Sequence, residues 1–168
     1  MELLASAPHP YRIVGHPPQG ATDLASLLRG HPLRQAAKSL VIRVALPGKK
    51  RRYVLAVVRG DHRVDLGAVC AVAGGVRAGF ADRATAERLT GCVSGSIVPF
   101  SFHPELDVVV DPALLEEDEI WFNAARLDQS VALSAHAYRA LAGPRVAGIA
   151  DRTGTTDHRT APADAQAA

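Results

Sequence analysis

Several features that define other protein classes are scarce in this chain of 168 residues. Its two cysteines, Cys70 and Cys92, are too few for a disulfide framework or a cysteine-based zinc site. The longest unbroken apolar run lies near residues 54–58 and is far shorter than the roughly 20 residues of a transmembrane helix. The first residues lack a positive stretch followed by an apolar one, so we expect no signal peptide. These absences favour a protein without membrane association, with a reducing cytoplasm as its simplest location.

The motifs of several enzyme classes are also missing. The seven histidines are scattered, and no two of them are spaced i, i+4 around a glutamate, so we expect no metal site. The chain contains no Gly-x-Ser-x-Gly elbow, no Walker sequence and no dinucleotide-binding fingerprint. Serine, histidine and aspartate residues are numerous enough for a catalytic triad, but nothing in their spacing singles one out.

The composition that is present is typical of one globular domain. Hydrophobic residues make up 48% of the chain and charged residues 21%. Strand-like and helix-like segments are mixed without a strict βαβ order, which predicts an α+β domain around a mixed sheet. We expect a single domain over residues 1–150 and a disordered tail over residues 151–168, where no apolar period is visible.

Apolar periodicity and turn residues place the individual elements. Strands are expected over residues 11–14, 39–46, 53–59, 76–80, 106–110, 119–123 and 131–133. Helices are expected over residues 23–29, 65–73, 82–90 and 134–141. Thr22 is the predicted N-cap of the first helix, and Ser134 that of the last.

Charge is distributed unevenly along the chain. Residues 1–60 carry ten basic and two acidic side chains, whereas residues 101–168 carry five basic and eleven acidic ones. One interpretation is a basic face that meets a polyanion; the other is a fold that interleaves the two halves and cancels the field. A predicted hairpin turn holds Lys49, Lys50, Arg51 and Arg52, which either contact phosphates or are simply solvated.

Lys38 is the strongest candidate for a catalytic residue. Side chains alternate along a strand, so Lys38 shares a face with Leu40, Ile42 and Val44. An unpaired ammonium on such an inward face is costly unless it reaches a polar cleft or lowers its pKa. The alternative is a lysine that extends to solvent from the end of the strand.

The loop over residues 91–100 is a second candidate. Gly91, Gly95 and Pro99 give it an irregular backbone, whose amides can cradle an oxyanion, a carboxylate or a ribose. The alternative is a plain connector after a helix C-cap.

Five segments, taken in their order and spacing, resemble the YbaK/ProX family of aminoacyl-tRNA deacylases, which are related to the editing domain of bacterial prolyl-tRNA synthetases. The segments are YRIVGH at 11–16, AAKSLV at 36–41, GCVSGSIVPF at 91–100, VDPAL at 110–114 and IWFNAAR at 120–126. The resemblance therefore covers about residues 11–141.

The resemblance implies a mixed, bent, partly barrel-like sheet flanked by helices, with one cleft. It implies hydrolysis of the ester between a mischarged amino acid and the terminal adenosine of tRNA, with Lys38 as the catalytic residue and a ribose hydroxyl helping to activate water. The expected substrate-binding residues are Tyr11, His16, Ser39, Gly91, Gly95, Ser96, Pro99, Asn123 and Ser130. The expected partners are tRNA and an aminoacyl-tRNA synthetase, and no DNA, metal or organic cofactor is implied.

Three positions depart from the family's pattern. Ser39 stands where threonine or asparagine is common, Ala124-Ala125 where a glycine pair is common, and Ser130 where some relatives carry aspartate. These positions bear on amino-acid specificity and leave the reaction class unchanged. The competing function is a non-catalytic module that binds tRNA or an amino acid; the presence of Lys38 and the loop over 91–99 favours catalysis.

Overall fold

Strands and short helices alternate along the part of the chain that the computed structural model describes, residue 4 and residues 9–151. The α-helices there are α1 Thr22–Arg29, α2 Leu66–Val72, α3 Arg83–Thr90, α4 Pro112–Leu115 and α5 Ala135–Ala142. The strands are β1 Tyr11–Gly15, β2 Ala37–Ala45, β3 Arg51–Arg59, β4 Arg63–Val64, β5 Arg77–Phe80, β6 Leu106–Val110, β7 Glu119–Asn123, β8 Gln129–Ser134, β9 Arg145–Val146 and β10 Ala150–Asp151. Short 3₁₀ turns cover Leu33–Gln35 and Pro47–Lys49.

These strands form three sheets. The largest is mixed and has the order β5–β2–β3–β6–β9, in which β2 is antiparallel to β3 and β5 while β6 is parallel to β3. A second sheet, β1–β8–β7, is antiparallel, and β10 pairs with β4. The predicted α+β class with a mixed sheet and flanking helices is confirmed, although the strands are divided between sheets.

Strand β3 lies at the centre of the core. Its residues from Tyr53 to Val58 are all buried. Leu55 and Val57 pack into a cluster with α3, α5 and the second sheet, whereas Val54 and Val58 pack into another cluster beneath α2. Burial on both faces explains the unbroken apolar run, since a strand with one solvated face would alternate.

Local chemistry sets where several helices begin and end. The side chains of Asp82 and Ser134 cap α3 and α5, because their oxygens accept hydrogen bonds from the backbone N–H groups of Thr85 and Ala137. The prediction that Thr22 caps α1 is wrong. That helix begins at Thr22, and its N-cap is Ala21, which has no capping side chain.

The fold interleaves the basic and acidic parts of the chain. Strand β1 pairs with β8, and β3 pairs with β6. Within the described part of the chain, four ion pairs join the first sixty residues to acidic residues beyond position 100: Arg12–Glu119, Arg34–Glu117, Arg52–Asp107 and Arg59–Glu117. These pairs support the interpretation in which folding cancels part of the charge difference.

Residues 144–151 belong to the fold although they show no apolar period. Ile149 is fully buried, and a carboxylate oxygen of Asp111 accepts hydrogen bonds of 2.9 Å from the N–H groups of Ile149 and Ala150. Asp151 pairs with Arg63 in the small sheet. The predicted disordered tail lies outside the described residues from position 152 onward.

Candidate active site

A cleft of about 640 Å³ opens beside the first half of strand β2. Strand β5 pairs only with residues 42–45 of β2, so residues 38–40 have no strand partner on that side. Further lining comes from α1 and the residues before it, from β4 and the start of α2, from the end of β5, from α3 and the loop after it, and from the end of β7. Among the lining residues that the structure describes, Arg29, Lys38 and Arg63 are cationic and none is acidic. The cleft is therefore suited to a ligand that carries negative charge.

Lys38 reaches from β2 to the turn that follows β3. Its Nζ donates hydrogen bonds to the carbonyl oxygen of Gly60, at 3.3 Å, and to that of His62. Burial lowers the pKa of Lys38, and the nearby charge of Asp61 opposes this shift. The ammonium is therefore paired with two main-chain carbonyls. Because an ammonium has three N–H donors, these two bonds leave one for a ligand.

The turn at residues 60–62 is held in place from two directions. A Cβ atom at Gly60 would lie 2.6 Å from the carbonyl oxygen of Leu33, so no side chain fits there. Arg59 donates to both carboxylate oxygens of Asp61, at 2.9 and 2.6 Å. Residues 37–41 and this turn, 60–62, form what we call the lysine wall. Its carbonyl groups have little freedom to move away from Lys38.

Ser39 presents polar groups to the same cleft. Its Oγ is buried and has no hydrogen-bond partner within residues 9–151 or at residue 4. The carbonyl of Val41 accepts a 2.9 Å bond from Ala81 across the β5 side of the strand. In an antiparallel strand, the backbone N–H and C=O groups of every second residue point to the same side. Ser39 lies two residues before Val41, so its N–H and C=O also face the β5 side. Ser39 can therefore offer a ligand both a hydroxyl and main-chain groups.

Asn123, at the end of β7, joins several segments on a second side of the cleft. Its Nδ2 donates to the carbonyl oxygens of Gly95, at 2.7 Å, and Gln19, at 3.2 Å. Its Oδ1 accepts hydrogen bonds from the guanidinium of Arg29 and, at 3.2 Å, from Ser130 Oγ. Residues 19–20, Arg29, Gly95 and Asn123 form what we call the asparagine wall, in which one amide connects four parts of the chain.

Gly95 is required in this wall for two reasons. Its φ of +86° lies in the left-handed region, and an added Cβ would be 2.9 Å from the Cα of Gly20. Two neighbouring amides are already used, since Ser94 N–H donates to Glu87 and Ser96 N–H to the carbonyl of Val93, each at 3.0 Å. The prediction that this loop leaves its amides free for a ligand is wrong at these two positions.

The structure brings together some of the predicted site residues and separates others. Lys38, Ser39, Gly95 and Asn123 line the cleft. Ser130 and His16 lie behind Asn123, with His16 Nε2 2.7 Å from Ser130 Oγ.

The other four predicted residues are absent from the described lining. Gly91 ends α3, and the hydroxyl of Ser96 donates to the carbonyl of Val93 at 2.9 Å. The carbonyl of Pro99 accepts from the hydroxyl of Tyr138 at 3.0 Å, and Tyr11 pairs with Leu133 in the second sheet. Their roles in binding substrate stay predictions.

Sequence reasoning missed Arg29, Gly60 and Asp61. Arg29 occupies the last turn of α1, where a cation is common because it complements the helix dipole. Gly60 and Asp61 follow a strand, as turn residues usually do. Each of these three residues is common at its position in a helix or a turn, so the sequence alone gives no reason to assign it to a functional site.

The basic run lies at the far end of strand β2. Lys49, Lys50, Arg51 and Arg52 are all exposed, and Arg52 has Asp107 at 3.5 Å. Arg52 pairs with Val44, six residues beyond Lys38 on β2, so the run lies roughly 20 Å or more from Lys38 along the strand. It can therefore meet a ligand that extends well beyond the cleft.

No three His, Cys, Asp or Glu side chains within the described part of the chain cluster in a way that could hold a metal ion. Over the same residues, no helix has the length and apolar character needed to cross a membrane.

The chain is similar to several known proteins. A sequence model of the aminoacyl-tRNA editing domain matches residues 16–141. The multifunctional Ser/Thr-tRNA deacylase ProXp-y of Escherichia coli is 43% identical over 145 residues, which are 86% of each chain. A proline–tRNA ligase of Stenotrophomonas maltophilia is 32% identical over 107 residues, 64% of this chain and 19% of the ligase. A crystal structure assigned provisionally as a trans-editing enzyme for prolyl-tRNA synthetase has a TM-score of 0.71 at 25% identity, covering 84% of this chain and 87% of that one.

Proposed function

This chain belongs to the aminoacyl-tRNA editing domain family and is a trans-editing aminoacyl-tRNA deacylase, and we propose that it removes serine and threonine from mischarged tRNA. The observation that carries the proposal is that Lys38 and Ser39 line one cleft, whose described lining residues include no acidic one. The similar Escherichia coli protein is a Ser/Thr-tRNA deacylase. A cytoplasmic location is part of the proposal, because charged tRNA is used there.

The buried hydroxyl of Ser39 supports a substrate that itself carries a hydroxyl. Its Oγ has no partner in the described structure and lies in the cleft lining. A site built to hydrogen-bond a substrate hydroxyl rejects analogues that lack one, because its own polar group is then left unpaired. Seryl and threonyl groups satisfy Ser39, whereas an alanyl group does not.

In the proposed reaction, water attacks the ester carbonyl and negative charge develops on the carbonyl oxygen. The remaining N–H donor of Lys38 binds either that oxygen or the terminal adenosine. The described lining residues include no aspartate, glutamate or histidine that could act as general base. The neighbouring ribose hydroxyl of the tRNA therefore helps to activate the water.

The exposed run of Lys49, Lys50, Arg51 and Arg52 contacts the tRNA backbone in this proposal. Each phosphate contact that is lost should reduce the slope of log K against log salt by about 1. Filter binding of tRNA to the variant with all four residues changed to alanine should therefore show weaker binding and a flatter salt dependence. An unchanged slope would place the RNA surface elsewhere.

A panel of charged tRNAs incubated with the pure protein tests the proposed activity. Ser-tRNA and Thr-tRNA should lose their amino acid much faster than Ala-tRNA, and the Ser39→Ala variant should narrow that difference. Binding of these tRNAs without any hydrolysis would instead indicate a non-catalytic module. A synthetase partner can be sought in the same experiment by adding prolyl-tRNA synthetase and measuring whether the rate changes.

A further inference from the structure

Arg29 is a second cation of the cleft, and it has no acidic partner among the described residues. Its guanidinium is partly buried and donates to Asn123 Oδ1, while its Nε is buried without a hydrogen-bond partner in the described structure. No carboxylate of the described residues lies within ion-pair distance of it. Burial lowers the pKa of Arg29 to about 10, so the side chain is still charged at neutral pH.

Several other arginines of the described residues are placed differently. Six of them each have a carboxylate within 3.5 Å: Arg12, Arg34, Arg52, Arg59, Arg83 and Arg126. Arg29 is the cleft-lining arginine that bonds only a neutral amide. An exposed arginine would be enough to complement the dipole at the C-terminal end of α1. That role alone does not explain why the Nε of Arg29 is buried and unpaired, which is costly.

An unpaired, partly buried guanidinium is an incomplete anion site. Its planar array of N–H donors matches the oxygens of a phosphate, and hydrogen bonds between charged groups are the stronger class. Asn123 holds one terminal nitrogen, so the remaining N–H groups keep a defined orientation. This arrangement favours a phosphate over a single carbonyl oxygen.

We propose that Arg29 binds the phosphodiester that joins the terminal adenosine of the tRNA to the preceding nucleotide. This inference rests on the proposed deacylase function. The ester and this phosphodiester are attached to the same ribose, so a substrate whose ester lies at Lys38 brings the phosphate into the same cleft. Arg29 is then a substrate-binding residue that positions the terminal nucleotide from the asparagine wall.

The test removes the charge of that one phosphate from the substrate. Two forms of Ser-tRNA are compared, one natural and one with a neutral methylphosphonate at the last internucleotide linkage. The wild-type protein should lose roughly 10- to 100-fold in kcat/KM on the neutral form, the range expected for a hydrogen bond between charged groups. Arg29→Gln should be slow on the natural form and insensitive to the replacement, and Arg29→Lys should keep part of the preference.

Arg12→Gln is the matched control, because Arg12 lies on β1, pairs with Glu119 at 2.6 Å and is absent from the cleft lining. It should keep the full wild-type preference. Each protein is judged by the ratio of its kcat/KM values on the two substrates. A smaller fraction of folded protein lowers both values equally and leaves this ratio unchanged. Equal wild-type rates on the two forms, or an Arg29→Gln variant that keeps the preference, would overturn the inference. A wild-type protein that hydrolyses neither form would overturn the proposed deacylase function.

Discussion

The two walls of the cleft hold their cations by different means. In the lysine wall, the ammonium of Lys38 is bound by main-chain carbonyls of Gly60 and His62. In the asparagine wall, the guanidinium of Arg29 is bound by the side-chain amide of Asn123. Every residue has a main-chain carbonyl, so the bonds to Lys38 depend on the shape of the turn. The bond to Arg29 comes from a side-chain amide, so it depends on asparagine at position 123. The lysine wall should therefore be sensitive to backbone shape, and the asparagine wall to the identity of one side chain.

The largest effect is expected when Lys38 is replaced. Lys38→Ala should reduce single-turnover deacylation of Ser-tRNA by about 100-fold or more, because a donor to the developing charge is lost. Lys38→Arg should also fail, since a planar guanidinium cannot replace a compact ammonium between two carbonyls.

Circular dichroism and tRNA binding provide the controls for Lys38. The folded structure should persist, because water in the cleft can reach the two released carbonyls. Binding should fall only modestly, since most contacts are expected with the phosphate backbone. A folded Lys38→Ala protein that deacylates at the wild-type rate would show that this lysine is not catalytic.

Replacing Asn123 should disrupt the other wall. Asn123→Ala removes the partner of two carbonyl oxygens and of Arg29, and we expect the free energy of unfolding to fall by about 2–3 kcal/mol. The deacylation rate should fall as well, because the Gly95 loop and α1 lose their connection. Urea denaturation gives the stability, and single-turnover assays at a temperature where the variant is folded give the rate. A variant as stable as the wild type would mean that this amide does not hold the wall together.

The sequence predicted the elements better than it predicted these connections. Helix and strand positions follow from apolar periodicity and from caps such as Asp82 and Ser134, all of which are local. The partners of Lys38 lie 22 and 24 residues away, and those of Asn123 up to 104 residues away. Lys38 and Asn123 were found by alternation and resemblance, but nothing local shows which carbonyl or cation each one meets.

A backbone change should affect the lysine wall without touching a charged group. Gly60→Ala places a methyl group 2.6 Å from the carbonyl oxygen of Leu33, so the turn must shift. We expect a loss of about 1–3 kcal/mol in the free energy of unfolding, the usual cost of overpacking. Activity should fall with it, because the carbonyl of Gly60 moves relative to Lys38.

Gly79→Ala is the matched control for Gly60. A Cβ at Gly79 meets nothing within 4 Å, so stability and activity should stay near the wild-type values. If both alanine variants behave alike in thermal unfolding and in deacylation, the tight packing at Gly60 has no special role.

A smaller effect is expected from the charge of Asp61. Burial lowers the pKa of Lys38, while Asp61 and Asp23 raise it and Arg63 lowers it. If protonated Lys38 is the active form, activity is lost as pH rises through this pKa. Asp61→Asn removes a charge that raises the pKa, so the loss should begin at a lower pH, with little change in rate on the acidic side.

The pH profile of kcat/KM, corrected for spontaneous hydrolysis of the ester, measures this shift. Asp107→Asn is the control, because Asp107 pairs with Arg52 at the far end of the sheet and should leave the profile unchanged. Activity that rises instead of falling as pH passes through the pKa of Lys38 would contradict protonated Lys38 as the active form. A shift toward higher pH in Asp61→Asn would instead show that Asp61 does not raise that pKa.

The smallest change in stability is expected when Ala125, two residues after Asn123, is replaced by glycine. Ala125 has a φ of +60°, in the left-handed region, and this conformation costs an L-residue about 1–2 kcal/mol. Glycine avoids that cost, but it lowers stability by roughly 0.5–1 kcal/mol because its unfolded chain has more conformational freedom to lose. Ala125→Gly should therefore stabilise the protein by about 0.5 kcal/mol in urea denaturation, with unchanged activity because Ala125 is exposed and absent from the cleft lining. Ala124→Gly, at a buried position where φ is not positive, should instead be destabilising. An Ala125→Gly protein that is less stable than the wild type would show that the left-handed backbone at this position is not strained.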